Sequence, residues 1–287
     1  MVEAGTPNLA DYFPLLRKMD PQGVRHRITV HFDKLLKLFG NMIDERQQSR
    51  KSQDYTASND VLDTLLDIIE GDIEELNKNL ITHLFLVLFA AGTDTTSNTL
   101  EWAMAEILRN PHVSLKAKKE LDQVIGKGKL IEESDINRLP YLQAIIKETF
   151  RMHPAVPLLL PRRAGSDTDL CGFNVPEGSQ VLVNVWAIGR DPSIWENPNS
   201  FMPERFLGSE IDVKGRDFGL IPFGAGRRIC PGLPLANRML YLMLGSLINS
   251  FDWKLEGGIS PKEMNMEEKF GLTVQMAEPL QAVPVVI

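Results

Sequence analysis

The stretch Phe223-Gly224-Ala225-Gly226-Arg227-Arg228-Ile229-Cys230-Pro231-Gly232 decides the reading of this chain. It holds one of the two cysteines, set among three glycines and two arginines, and an apolar run of helical character begins just after it. Glycine lets a backbone turn tightly and approach a flat ligand closely. A thiolate just ahead of a helix start faces orphan N–H groups and the positive end of the helix dipole. Arginines beside it can fork onto carboxylates. A soft anionic ligand, a close-fitting loop and a carboxylate clamp together describe a seat for a flat, metal-bearing group with acidic arms. The plainer alternative is a Gly-rich turn with a buried free cysteine. Against it stands the full spacing Phe-x-x-Gly-x-Arg-x-Cys-x-Gly, met at Phe223, Gly226, Arg228, Cys230 and Gly232.

This decapeptide resembles the haem-binding loop of the cytochrome P-450 family, the haem-thiolate monooxygenases. The resemblance implies that Cys230 is the axial ligand of haem b iron and that Arg228 contacts a haem propionate. Three further stretches agree with it in order. From Asp72, with Glu75 three residues on as in a capping box, a helical pattern can run to Asn110, where Pro111 ends it. Its middle, Ala91-Gly92-Thr93-Asp94-Thr95-Thr96, is a row of poor helix formers, so either a local opening of the helix or a break is expected there. By resemblance this is the oxygen-binding helix. Ala91 and Gly92 would keep its surface flat against the haem, and Asp94 and Thr95 would be the acid–alcohol pair that relays protons while dioxygen is split.

Glu148 and Arg151 stand at i and i+3 of a helix opened by Pro140, with Leu142, Ile145, Ile146 and Thr149 on its buried side. Such a pair alone is an ordinary surface contact. His153-Pro154 follows it directly, and Pro203-Glu204-Arg205-Phe206 lies further on. By resemblance Glu148, Arg151 and Arg205 form a buried triad that fixes the loop carrying Cys230. The apolar, proline-bounded run Val156 to Leu160 is expected as a strand edge lining the substrate pocket. Val156, Leu158 and Leu272 are its candidate contacts. Arg162 is a second propionate partner, with Arg163 its rival.

Outside these motifs, residues 1–23 read as loop. Ile28, Phe32, Leu35, Phe39 and Met42 mark one stripe of a helix from about Val24 to Arg50. Polar residues 47–59 read as a mobile link, and Val61 to Ile69 as a short helix stopped near Gly71. A helix over 112–125 shows Lys116, Lys118 and Lys119 on a solvated face. Strands are expected at Leu170–Phe173 and Gln180–Ala187, with Cys171 an inert strand residue and Trp186 and Trp195 in the core. Leu235, Met239, Leu242, Met243 and Leu247 mark a helix packing under the Cys230 loop. Strands at Phe251–Leu255 and Gly271–Gln275 close the chain.

The 287 residues, 43% hydrophobic and 24% charged, suit a substantial core. A net charge of −7 offers no basis for nucleic-acid binding. Two cysteines make no disulfide framework and suit a reducing compartment. No zinc spacing and no flavin or dinucleotide fingerprint is present. The apolar run Leu84–Ala91 falls short of the roughly 20 residues a bilayer requires.

The expected fold class is mainly α with small β-sheets, the C-terminal part of a cytochrome P-450 fold with a long central helix over the haem site. Residues 1–287 then form one portion of a single catalytic domain. The resemblance further implies that the N-terminal half and membrane anchor are not in this chain, which is therefore expected to hold haem poorly. It implies electrons from NADPH through NADPH–cytochrome P-450 reductase, dioxygen and a small lipophilic substrate as co-reactants, and residence on the cytosolic face of the endoplasmic reticulum. Asn8 to Pro14 and Glu267 to Thr273 resemble the plant geraniol 8-hydroxylase group. A haem-thiolate isomerase or dehydratase, and a non-catalytic fragment, remain as alternatives.

Overall fold

A computed structural model describes residues 7–58, 60–71, 77–269 and 271–286. The expected capping box at Asp72 and Glu75, and Phe270, lie outside them. The chain divides into two compact units, 1–93 and 94–287.

The first unit is helical. Its opening segment is not all loop: Asn8 caps a single helical turn, α1 (Leu9–Tyr12), and a 3-10 turn follows at Pro14–Lys18. Helix α2 (Val24–Arg50) has the expected bounds but a shifted stripe. Phe32 and Met42 are exposed, whereas Phe39 and Ile43 are buried, because Leu62, Leu66, Ile81 and Phe85 meet that side. Helix α3 (Val61–Glu70) is capped by Asp60, which accepts from the Asp63 N–H. The stretch before it is tied down rather than a free link: Tyr55 Oη donates to Asp63 at 2.6 Å and the Ser58 N–H at 2.8 Å.

Helix α4 (Lys78–Arg109) runs unbroken through the row of poor helix formers. By length and composition, with a mean hydropathy of 1.2 over an 18-residue stretch of it, it suffices to cross a bilayer. Its later part reads as a core helix instead, since Trp102, Ala103, Met104, Ala105 and Ile107 are buried.

In the second unit, α5 (Pro111–Val124), α6 (Pro140–Met152) and α8 (Leu233–Ser250) supply the main core, with α7 (Val185–Ile188) a single turn. Glu120 on α5 accepts the Tyr141 and Leu142 N–H groups at 2.7 and 2.9 Å, so a neighbouring helix caps α6. The buried face of α8 is Leu240, Tyr241, Leu244, Gly245 and Ile248, while Leu235, Met239 and Met243 are exposed. Of the expected stripe, Leu242 and Leu247 pack partly against the core, while the fully buried face lies one residue further on. Both faces are apolar, and contact with α5 and α6 selects between them.

The strands form four antiparallel pairs among the described residues: β1 (Arg162–Arg163) with β4 (Gln180–Val181), β2 (Thr168–Leu170) with β3 (Phe173–Val175), β5 (Phe251–Leu255) with β8 (Ala282–Val286), and β6 (Glu268–Lys269) with β7 (Gln275–Met276). Four strand expectations change, the first being Gly271–Gln275, of which only Gln275 lies in a strand, β7. Cys171 lies at the exposed β2–β3 turn with φ +54°, not in a strand. The strand from Gln180 stops at Val181, because the Asn184 side chain accepts the Ala187 N–H and starts α7. Strand β8, unanticipated, partners β5.

Candidate functional site

Helix α6 places Glu148 and Arg151 on one buried face. Glu148 Oε2 accepts from Arg151 Nε at 2.7 Å. Its Oε1 accepts from Arg151 Nη2 at 2.8 Å, Arg205 Nε at 3.1 Å and the Met202 N–H at 2.7 Å. One carboxylate between two guanidiniums leaves a positive charge, which backbone carbonyls absorb. Arg151 also donates to Gly189 O, to Pro198 O at 2.7 Å and to Ser200 O at 3.1 Å, and Arg205 donates to Glu196 O at 2.9 Å. A buried charge survives only with such complete pairing. Trp195 is core, as expected, and also holds both cations over its ring, at 5.6 and 5.9 Å. A Cβ at Gly189 would collide with Arg151 O, so only glycine allows this approach.

The Cys230 loop turns on Gly224 and Gly226, with φ of +74° and +66°. A 3-10 turn spans Gly226–Arg228, and the Cys230 N–H donates to Phe223 O at 2.9 Å. Gly232 then opens α8, with Pro234 in its first turn. The Cys230 thiol is exposed. Arg227 and Arg228 are exposed too, and neither forms an ion pair among the described residues. Phe223 packs edge-on against Phe150 of α6, ring centroids 5.1 Å apart, and so joins the loop to the helix that carries Glu148 and Arg151.

Residues 156–160 are not a strand. They form a turn in which Leu159 takes φ +50° and its N–H donates to Val156 O. Pro154, Pro157 and Pro161 withhold ladder donors, which explains the loss. The turn still reaches the loop: Leu159 Cδ1 lies 3.7 Å from the Cβ position of Gly224. Val156, Leu158 and Leu272 are half-buried, and the Val274 N–H donates to Ala155 O at 3.0 Å, which brings the two candidate lining segments together. Arg162 is half-buried, whereas Arg163 is exposed and lays its guanidinium over Gly178.

Asp94 and Thr95 lie half-buried on adjacent positions of α4, one turn before Asn98 and Thr99. Ala91 and Gly92 are exposed, and a Cβ added at Gly92 would meet nothing within 4 Å. Lys116 and Lys119 of α5 are exposed, as expected of a solvated face; Lys116 pairs with Glu204 at 2.6 Å, and the half-buried Lys118 pairs with Asp252.

One cluster escaped the motif reading. His153 is buried and stacked flat on Trp102, centroids 4.0 Å apart. Its Nε2 meets Glu106 Oε1 at 2.8 Å and its Nδ1 meets Glu268 Oε1 at 3.3 Å. Trp186, expected in the core, is partly exposed and donates Nε1–H to Glu268 Oε2 at 2.9 Å. Arg190 stacks on Trp186 at 4.0 Å and donates to Glu268 at 3.3 Å. Burial works to raise Glu268, but the His153 hydrogen bond, the Arg190 charge and the Trp186 N–H outweigh it and hold this carboxyl below its usual value. Position alone could have flagged His153, which directly follows the Glu148–Arg151 helix. Nothing local marks Glu106 or Glu268.

A profile of the cytochrome P-450 family matches residues 1–280. The chain belongs to the cytochrome P-450 family. It is 62% identical over 284 residues to geraniol 8-hydroxylase of Catharanthus roseus and 63% identical over 283 residues to that of Swertia mussotii, in both cases across 99% of this chain and 57% of the relative. Drimenol monooxygenase of Persicaria hydropiper is 58% identical over 284 residues, 99% of this chain and 56% of that protein. The chain thus spans little more than half the length of these relatives. A zebra fish cytochrome P-450 solved with progesterone matches with a TM-score of 0.71 and 30% identity, over 86% of this chain and 57% of that one.

Membership of this P-450 family implies haem b, held in such proteins by a cysteine thiolate. The loop fits that group. Cys230 presents an exposed thiol, Arg228 pairs with no carboxylate among the described residues, and a Cβ at Gly226 would meet open space within 4 Å.

Proposed function

We propose that this chain carries the haem-thiolate site of a plant monooxygenase that inserts one oxygen atom of dioxygen into a small lipophilic terpenoid, a monoterpenol in the simplest case. The observation that carries the reading is the Cys230 loop, closed by the Cys230 N–H to Phe223 O bond and braced on α6 through Phe150. Haem bound there supplies dioxygen activation, with the cysteine thiolate favouring O–O cleavage.

The chain's own residues divide the remaining work. Cys230 Sγ would hold the haem iron. Arg228 would bind one propionate and Arg162 the other, since Arg163 is already laid over Gly178. The Asp94 carboxyl and Thr95 Oγ1 pass protons toward the pocket. Val156, Leu158 and Leu272 line it, and the coarse selectivity of apolar walls suits a small terpenoid. Glu148, Arg151 and Arg205 hold the loop without touching the reacting atoms. Electrons come from NADPH through NADPH–cytochrome P-450 reductase, and the working enzyme sits on the cytosolic face of the endoplasmic reticulum. The names of the plant relatives support the terpenoid class.

Replacing the ligand tests this. In haem-loaded protein, Cys230→Ser is expected to abolish the thiolate-type red-shifted Soret band of the reduced carbon monoxide complex, together with NADPH- and oxygen-dependent turnover of geraniol. A variant that keeps that band would overturn the assignment of Cys230.

A further inference from the structure

Beyond the loop and the triad, one largely buried cluster joins charged and aromatic side chains from distant parts of the chain. His153 is fixed in three directions. Glu106 on α4 and Glu268 on β6 meet its two ring nitrogens at 2.8 and 3.3 Å, and Trp102 stacks within 3° of parallel on its face. Each carboxylate is itself oriented. Asn110 Nδ2 donates to Glu106 Oε2 at 3.1 Å. Trp186 and Arg190 donate to Glu268. Buried carboxylates and an imidazole are costly in an apolar interior unless every partner is supplied. Here both ring nitrogens of His153 and both carboxylates have partners, while Trp102 Nε1 and Arg190 Nη1 have none among the described residues, and the paired groups hold their elements at defined separations.

Those elements are the ones that flank the candidate pocket. His153 lies three residues before Val156, and Glu268 four before Leu272. Beyond the His153–Glu268 contact, the same two stretches meet again where the Val274 N–H donates to Ala155 O at 3.0 Å. The first stretch is held further on, because Pro157 O and Leu158 O accept the Trp186 and Val183 N–H groups at 3.2 Å each. Glu106 ties the assembly to the helix that carries Asp94 and Thr95.

We propose that His153 is a positioning residue for the pocket: by bridging Glu106 and Glu268 it sets both lining segments, 155–160 and 271–274, against α4, and thereby selects which carbon of the substrate is presented. This rests on the monooxygenase reading for the substrate. The positioning itself is a property of the polypeptide and is measured apart from haem.

Two measurements test it, each on His153→Gln and Glu268→Gln. Gln at 153 can serve only one carboxylate well. Gln at 268 keeps an acceptor for Trp186 and alters a side chain nearer the surface, so it remains informative should the His153 variant fail to fold. In the chain itself, amide exchange in 155–160 and 271–276 is expected to quicken about tenfold, as for loss of one charge-assisted hydrogen bond, while α8 is unchanged. Faster exchange in only one of the two segments, or in neither, overturns the proposal.

In haem-loaded protein, the variants are expected to keep the thiolate-type Soret band. Their KM for geraniol should rise about fivefold with kcat little changed, and the ratio of hydroxylated products should shift. An unaltered product ratio and KM, with the band intact, reduces His153 to an ordinary structural residue and overturns the proposal. Failure of the monooxygenase reading shows separately, as absence of that band from the unsubstituted protein.

Discussion

Arg151 illustrates what a single side chain does here. Its guanidinium meets both oxygens of Glu148 and three backbone carbonyls, at Gly189, Pro198 and Ser200. Lysine carries the charge but not the planar fork. Arg151→Lys is therefore expected to strand several of these acceptors and part of the Glu148 charge. The cost is about 3–5 kcal/mol, the range for breaking a buried pair, and it would appear as a lowered melting temperature or as insoluble chain. At this scale the sequence was highly legible. The i, i+3 spacing of Glu148 and Arg151 and the later Pro203-Glu204-Arg205-Phe206 point to residues that the structure brings within hydrogen-bond reach. The same spacing is silent about Gly189 and about the carbonyls of 196–200, because a backbone acceptor leaves no mark on residue type. It is equally silent about His153, whose partners lie 47 and 115 residues away.

Among the elements, the helices followed from periodicity, and their working faces less often did. Both α2 and α8 lie where expected, but each is apolar over more than one stripe, so the neighbour it packs on chooses the buried one. Short strands fared worse. The run Val156–Leu160 has strand composition and is a turn, and the run after Gln180 ends in a capped helical turn. Helix α4 poses the opposite case, a regular helix through residues that do not favour one. Gly92 sits there with nothing within 4 Å of a Cβ, so nothing within the described structure demands a glycine. Gly92→Ala is expected to stabilise the haem-free chain by about 0.5–1 kcal/mol through helix propensity, while haem occupancy falls if that surface faces the porphyrin. Thermal melts of the haem-free protein and titration with haemin measure the two effects separately.

For the molecule as a whole, the second unit gathers most of the core on α5, α6 and α8. Burial pushes Tyr241 on α8 up to about 12, and burial with the neighbouring Glu204 carboxylate also raises Tyr141. The unfolded chain ionises these phenols near pH 10, whereas the folded chain keeps them neutral. Stability from this source is therefore complete below about pH 10 and is lost as pH rises toward the folded values. Melting temperature measured from pH 8 to 12 should fall above about 10, and Tyr241→Phe should flatten part of that fall.

The Cys230 decapeptide and the ordered motifs, through their resemblance, were enough to name the family, because ligand chemistry and tight-turn glycines depend on residue type and on spacing along a short stretch. Tertiary structure alone decided which stripe of each helix is buried, that Val156–Leu160 is a turn touching Gly224, and that His153 is shared between Glu106 and Glu268. Those outcomes depend on which distant segments meet. A long-range contact has its energy only once both partners are in place, so neither partner's local sequence carries its signature.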